Sequence, residues 1–296
     1  MMEAVDKIII MDGAMGTELR ARGARVADYK SSAWSAFALL EDPDVIEEIH
    51  LDYILAGARV ITANNYAVTS SLLERAGLEA RQEELLKQAV ELALKARKRA
   101  GISSVKIAAS LPPLNTSYQS DLVGDFDHIL TEYQHIAHSV KHSVDMFICE
   151  TMTTISEAKA AARAGCATGV PTFVSFTLEP STGKLRGGET IEALVTGLAD
   201  LPIAGFLFNC CDCHTILKML PELSALVTVP IGAYANPVLH EPLENGEPEQ
   251  VIAKPLNAEE YADQVVQWVQ AGATYVGGCC DTSPAYIQRM KQKLNH

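Results

Sequence analysis

The chain has 296 residues, 48% of them hydrophobic, and a net charge of −13 from 37 acidic against 24 basic residues. That length and apolar content suit one large domain, here taken as residues 1–296, with a sizeable core. They exclude a basic nucleic-acid-binding surface, and no run of 18 apolar residues exists to span a membrane. The apolar stretch at Lys7–Met11 leads straight into Asp12, so it does not read as a secretory leader. Seven cysteines, an odd number in so long a chain, read as reduced thiols in a cytoplasmic protein rather than as a disulfide framework.

In chain order, eight short apolar runs alternate with longer helical patterns. The runs are Lys7–Asp12, Ala58–Asn64, Val105–Ser110, Val144–Glu150, Pro171–Thr177, Ile203–Cys210, Pro230–Ala235 and Ala273–Gly278. Each is apolar nearly throughout, as parallel strands buried on both faces require. Between them lie helical candidates at Val45–Leu55, Gln82–Arg99, His128–Ser143, Ser156–Ala164 and Ala258–Ala271. Gly57, Gly165 and Gly272 read as residues just past helix ends. Asp42-Pro43 and Ser283-Pro284 read as N-caps followed by proline. Eight βα units in sequence predict a single (β/α)8 TIM barrel. An open doubly wound sheet is the alternative, weakened by the lack of a Gly-x-Gly-x-x-Gly turn. The stretch 236–256 reads as a long loop after the seventh strand.

Catalytic groups in such a barrel sit at the C-terminal ends of the strands. Asp12-Gly13, Asn64-Asn65-Tyr66, Ser110, Glu150, Thr177, Asn209-Cys210, Asn236 and Gly277-Gly278-Cys279-Cys280 all fall there. Cys210 and the Cys279–Cys280 pair therefore converge although 69 residues separate Cys210 from Cys279. Three thiols with a fourth position open have the layout of a catalytic Zn2+ site. Adjacent strand residues face opposite ways, so the backbone must leave strand geometry at the cysteine pair, a departure that Gly277-Gly278 makes easy.

Other cysteines read as packing residues. Cys149 lies inside the fourth strand and Cys166 in the turn after a helix. Cys210-Cys211-Asp212-Cys213-His214 lacks the spacing and the second half of a zinc knuckle, so Cys211 and Cys213 are not assigned as ligands. His135, His138 and His142 share one face of an outer helix and read as a solvated face. Asp12 and Glu150 each close an apolar strand, and read as site carboxylates, with helix capping as the alternative. Tyr66 and Asn236 are weaker candidates, and turn chemistry beside Pro237 explains Asn236 equally well.

Gly-Gly-Cys-Cys on the last strand, Asn209-Cys210 on the sixth and Asp12-Gly13-Ala14-Met15-Gly16-Thr17 together resemble the homocysteine S-methyltransferase family over essentially the whole chain. The resemblance implies zinc held by Cys210, Cys279 and Cys280. It implies that Asp12 and Glu150 receive the homocysteine ammonium and that amides near Gly13 and Ala14 meet its carboxylate. It implies a tyrosine near the metal, matched to Tyr66, and places Asn236 on the substrate side. The implied reaction moves a methyl group from S-methylmethionine or S-adenosylmethionine to homocysteine, giving methionine. Asp281 after the cysteine pair and Ala235-Asn236-Pro237-Val238 after the seventh strand depart from the family pattern. A betaine donor, a corrinoid protein partner, and a non-catalytic zinc thiol sensor are therefore kept as alternatives.

Overall fold

The computed structural model describes residues 8–26, 33–238, 240–241, 250–251 and 255–294. Eight parallel strands form one sheet, in the order first, eighth, seventh, sixth, fifth, fourth, third, second. They are Ile9–Ile10, Val60–Thr62, Lys106–Leu111, Met146–Met152, Thr172–Phe176, Gly205–Asp212, Ile231–Asn236 and Tyr275–Gly278. Every apolar run singled out above contributes one of them. The two outermost strands of that order meet through a parallel bridge between Met11 and Val60. Asp12 N–H donates to the Val60 carbonyl at 3.0 Å and Arg59 N–H to the Ile10 carbonyl at 2.7 Å. These contacts close the sheet into the expected (β/α)8 barrel.

The side-chain period of a strand sorts the core into two layers. Met146 and Ile148 point into the barrel with Met11, Val60, Phe173 and Leu207. Phe147 and Cys149, the alternate residues, pack outward against the helices. Those helices include Pro43–Ala56, Gln82–Ala100, Phe126–Val140, Ile155–Ala167, Cys213–Leu226, Ala258–Gln270 and Pro284–Lys293. Long apolar faces on the barrel and amphipathic helices around it leave the strand ends and loops to carry the polar chemistry.

Gly57 and Gly272 end their helices at φ 131° and 103°, a backbone that side chains with a Cβ resist. Gly165 does not: it lies inside Ile155–Ala167. Its lack of a Cβ serves packing, since a Cβ there would come 2.7 Å from Thr172 Oγ1 on the fifth strand. Cys166 accordingly sits in the helix's last turn rather than beyond it. Asp42 and Ser283 hold the N-cap positions with proline next, but neither side chain accepts a capping hydrogen bond. Within 236–256, a two-stranded antiparallel ribbon pairs His240–Glu241 with Gln250–Val251; the residues between them lie outside those described. Lys7, in the first predicted run, does too.

Candidate active site

Two strands are bulged at the end that carries the site. The register between strands four and five shifts between Cys149 and Met152. That between strands six and seven shifts between Asn209 and Asp212. At these bulges Thr151 and Cys210 take φ values of 61° and 55°, a left-handed backbone costing about 1–3 kcal/mol for a residue with a Cβ. Bulges re-aim side chains at active sites, and here they affect Glu150-Thr151 and Cys210-Cys211. Asn209 locks the two bulges together. Its buried amide oxygen accepts from Thr151 N–H at 2.9 Å and Ser175 Oγ at 2.7 Å, and its amide NH2 donates to Thr151 Oγ1 at 2.8 Å.

The strand carrying the paired cysteines stays regular through Gly278, pairing with Ala235. The strand ends there, so the chain leaves strand geometry at the cysteine pair as expected, and it turns through Asp281, whose φ is 61°. The two glycines are needed for close approach. A Cβ on Gly277 would stand 2.7 Å from Met11 Cβ, and one on Gly278 would overlap Thr282. Thr282 Oγ1 donates to the Cys279 carbonyl at 2.6 Å, and the Cys279 N–H donates to the Ala235 carbonyl at 2.9 Å. The Asn236 amide oxygen accepts from the Cys280 N–H at 3.0 Å. Asn236 thus holds the cysteine pair.

These constraints gather the sulfurs of Cys210, Cys279 and Cys280 within 4.8 Å of one another. Cys210 Sγ lies 2.9 Å from Cys279 Sγ and 3.8 Å from Cys280 Sγ. Hydrogen bonds from the Cys279 and Cys280 thiols, with a further one from Tyr118, outweigh burial and hold the Cys210 thiol well below its ordinary range. Donating to Cys210 raises Cys279 well above it. Three sulfurs close enough to share protons in this way form a donor set that a soft metal ion takes up as thiolates. A tetrahedral zinc with bonds near 2.3 Å wants sulfurs roughly 3.8 Å apart. The Cys210–Cys280 separation meets that, and the Cys210–Cys279 pair needs only to open slightly. The donor set and its spacing fit Zn2+.

The hydroxyl against this cluster belongs to Tyr118, which donates to Cys210 Sγ at 3.1 Å. Tyr118 sits at φ 69° in the loop after the third strand. It gave no sequence signal, because a loop lacks the periodicity that marks strands and helices. Tyr66, the tyrosine singled out from sequence, instead pairs its hydroxyl with Ser117 Oγ at 2.6 Å and packs edge-on against Trp34.

Asp12 is 8% exposed. One carboxylate oxygen accepts from Thr62 N–H at 2.7 Å, and the other lies 3.5 Å from the Thr62 hydroxyl. Burial above all pushes its carboxyl up to about 8, against the Thr62 N–H and with the charge of Glu150 adding to it. Burial likewise pushes Glu150 up to about 7, and Tyr234 donates to it at 3.4 Å. Two neighbouring acids driven towards their neutral forms make a receptor for a cation, which would return both to carboxylates. The Ala14 N–H is already committed to the Thr282 carbonyl at 3.1 Å. Gly13 must be glycine because a Cβ there would stand 2.7 Å from Thr282 Oγ1.

The remaining candidates are structural. Asp212 caps the helix Cys213–Leu226 through Thr215. That accounts for the Cys-Cys-Asp-Cys-His run: burial pushes Cys211 up to about 12 and Cys213 higher still, and both join the outer core. Cys149 packs there as well. His135, His138 and His142 are exposed.

The family model described as homocysteine S-methyltransferase matches residues 9–294. The homocysteine S-methyltransferase of Escherichia coli K12 is 32% identical, over 97% of this chain and 95% of that protein. A selenocysteine Se-methyltransferase of Brassica oleracea is 27% identical, over 96% of this chain and 88% of its own length. Among solved structures, the metallated form of the homocysteine methyltransferase MmuM from Escherichia coli superposes with a TM-score of 0.83. That match has 30% identity and covers 97% of this chain and 96% of that one.

Proposed function

The chain belongs to the homocysteine S-methyltransferase family, and from that premise we propose that it methylates the thiol of homocysteine, giving methionine, with Zn2+ on Cys210, Cys279 and Cys280. The observation that carries this reading is the gathering of those three sulfurs within 4.8 Å at the strand ends that also bear the buried Asp12 and the half-buried Glu150. Zn2+ bound there would supply a Lewis acid that keeps an acceptor thiol deprotonated at neutral pH.

The chain's own residues do the rest. Asp12 and Glu150 take the acceptor's ammonium and so fix where its thiol lies relative to Cys210. Thr177, Asn236 and Thr282 hold the cysteine backbones, and Asn209 holds the bulge that carries Cys210, so that the triad is organised before substrate arrives, which is where much of the rate advantage of a positioned reaction originates. Tyr118 stands beside Cys210 and shields the cluster on the side of the third-strand loop. The proposed donor is a sulfonium, S-methylmethionine or S-adenosylmethionine. Its leaving group departs as a neutral thioether, so no general acid is required, and none is assigned. A net charge of −13 favours approach of such a cation over that of an anionic donor. The acceptor belongs to the class of small amino-acid thiols, and the likeness to a selenocysteine Se-methyltransferase supports testing the selenol as well.

The ligand assignment is tested by metal analysis of variants. Cys279→Ser is expected to lose zinc and methyl transfer together, whereas Cys211→Ser retains both. Loss of zinc from Cys211→Ser would overturn the assigned triad.

A further inference from the structure

After the fifth strand the chain makes a small ribbon in which Leu178 pairs antiparallel with Leu185, and Arg186 follows it. The ribbon reaches the active-site mouth. Ser120 Oγ, two residues beyond Tyr118, donates to the Arg186 carbonyl at 3.4 Å. The Arg186 guanidinium carbon lies over the Tyr118 ring, 5.1 Å from its centre. The hydroxyl at the far end of that ring is the one bonded to Cys210. Arg186 therefore stands one tyrosine ring away from the thiol cluster.

The guanidinium is incompletely used. Its side chain is only 10% exposed, yet Nε, buried, has no hydrogen-bond partner. Nη1 makes one long contact, 3.4 Å, with Glu179. A purely structural arginine would be expected to spend its fork on that carboxylate, since bidentate pairing is the stronger arrangement and an unmet buried donor is costly. The fork here is held by an aromatic ring and a single oxygen, with a donor left for something else. Planar guanidinium donors match a carboxylate best. Glu179, 39% exposed beside it, supplies the opposite charge for an ammonium.

We propose that Arg186 receives the α-carboxylate of the methyl donor, with Glu179 facing its ammonium, so that the donor side of the site selects a sulfonium amino acid by its head group. The inference rests on the methyl-transfer reading above. In that arrangement the sulfonium end would lie against the cluster, where the Tyr118 hydroxyl meets Cys210, and the head group at the guanidinium over the Tyr118 ring.

The test compares two donors on the zinc-loaded full-length protein: S-methylmethionine and its decarboxylated counterpart, aminopropyl dimethylsulfonium. Transfer of labelled methyl to homocysteine gives kcat/KM, and calorimetry gives the Kd of each donor without turnover. The wild type is expected to prefer the carboxylated donor by roughly 10- to 100-fold. Arg186→Gln should erase that preference by raising KM and Kd for S-methylmethionine alone, leaving the decarboxylated donor, the homocysteine KM and the zinc content unchanged. Arg186→Lys should recover part of it, and carries the same comparison should Arg186→Gln fail to fold. No carboxylate preference in the wild type, a preference intact in Arg186→Gln, or an equal loss for both donors would each overturn the proposal. A wild type that binds S-methylmethionine with the preference but transfers no methyl would instead overturn the methyltransferase reading, and the Kd comparison would still judge Arg186.

Discussion

With Asp12 and Glu150 as the proposed receptor for the acceptor's ammonium, their ionisation sets the pH behaviour expected of the site. In the ligand-free protein their carboxyls are held up to about 8 and about 7, and an ammonium binds only to the ionised forms. Affinity for the amino-acid head group should therefore rise with pH through that window and weaken below it. Methionine, which has the head group without a titrating thiol, is the suitable probe. Its Kd is expected to tighten by roughly tenfold or more from about pH 6 to about pH 8, with protons released on binding. Asp12→Asn should flatten the upper part of that profile; an unchanged profile would remove Asp12 from the pocket. The same shifts act on stability in the opposite sense. An acid whose folded value is raised contributes stability that is present below its ordinary value, near 4, and is lost as pH rises through 7 and 8.

At the scale of elements, the site depends on irregularity placed at the ends of regular strands. Asn209 joins strands four, five and six through Thr151 and Ser175 and so couples the bulge that carries Glu150 to the one that carries Cys210. Asn209→Ala would leave the Thr151 N–H and the Ser175 hydroxyl without their buried partner. It is expected to cost about 2–4 kcal/mol in denaturant unfolding and to weaken zinc and the amino-acid head group together. Loss of stability with both affinities intact would show that the bulges hold their shape without it. The strands themselves were legible because a parallel strand buried on both faces is written as an unbroken apolar run. The cysteine triad was legible for a related reason: two such runs end in thiols, and strand ends in a barrel share one face. What the runs could not show is how a strand ends. Gly277 and Gly278 invited a reading as flexible residues, whereas the structure uses them for close approach to Met11 and Thr282. Asn236 invited a reading as a turn residue or a substrate contact, and neither showed that its side-chain oxygen also reaches across to accept from the Cys280 N–H. Tyr118 and Arg186 lie in loops, where partners far apart in sequence decide position and no period marks the residue.

Over the whole molecule, the barrel is scaffold and the loops at one end of it are chemistry. The three gathered thiols come from the sixth and eighth strand ends, the acids from the first and fourth, and the polar residues that hold them from the second, fifth, sixth and seventh strands and from Thr282 after the eighth. Such a site exists only when the sheet is closed, as the Met11–Val60 bridge closes it. Family membership and the gathered thiols support a methyl transfer whose nucleophile is a metal-held thiolate. The most direct measurement mixes homocysteine with S-methylmethionine, S-adenosylmethionine and betaine, each with a distinct isotopic methyl, on zinc-loaded and zinc-stripped protein, and reads methionine by mass. Label from a sulfonium donor, appearing only with zinc-loaded protein, is the predicted result. Equal labelling from stripped protein, or no labelled methionine from any donor with zinc bound, would contradict it.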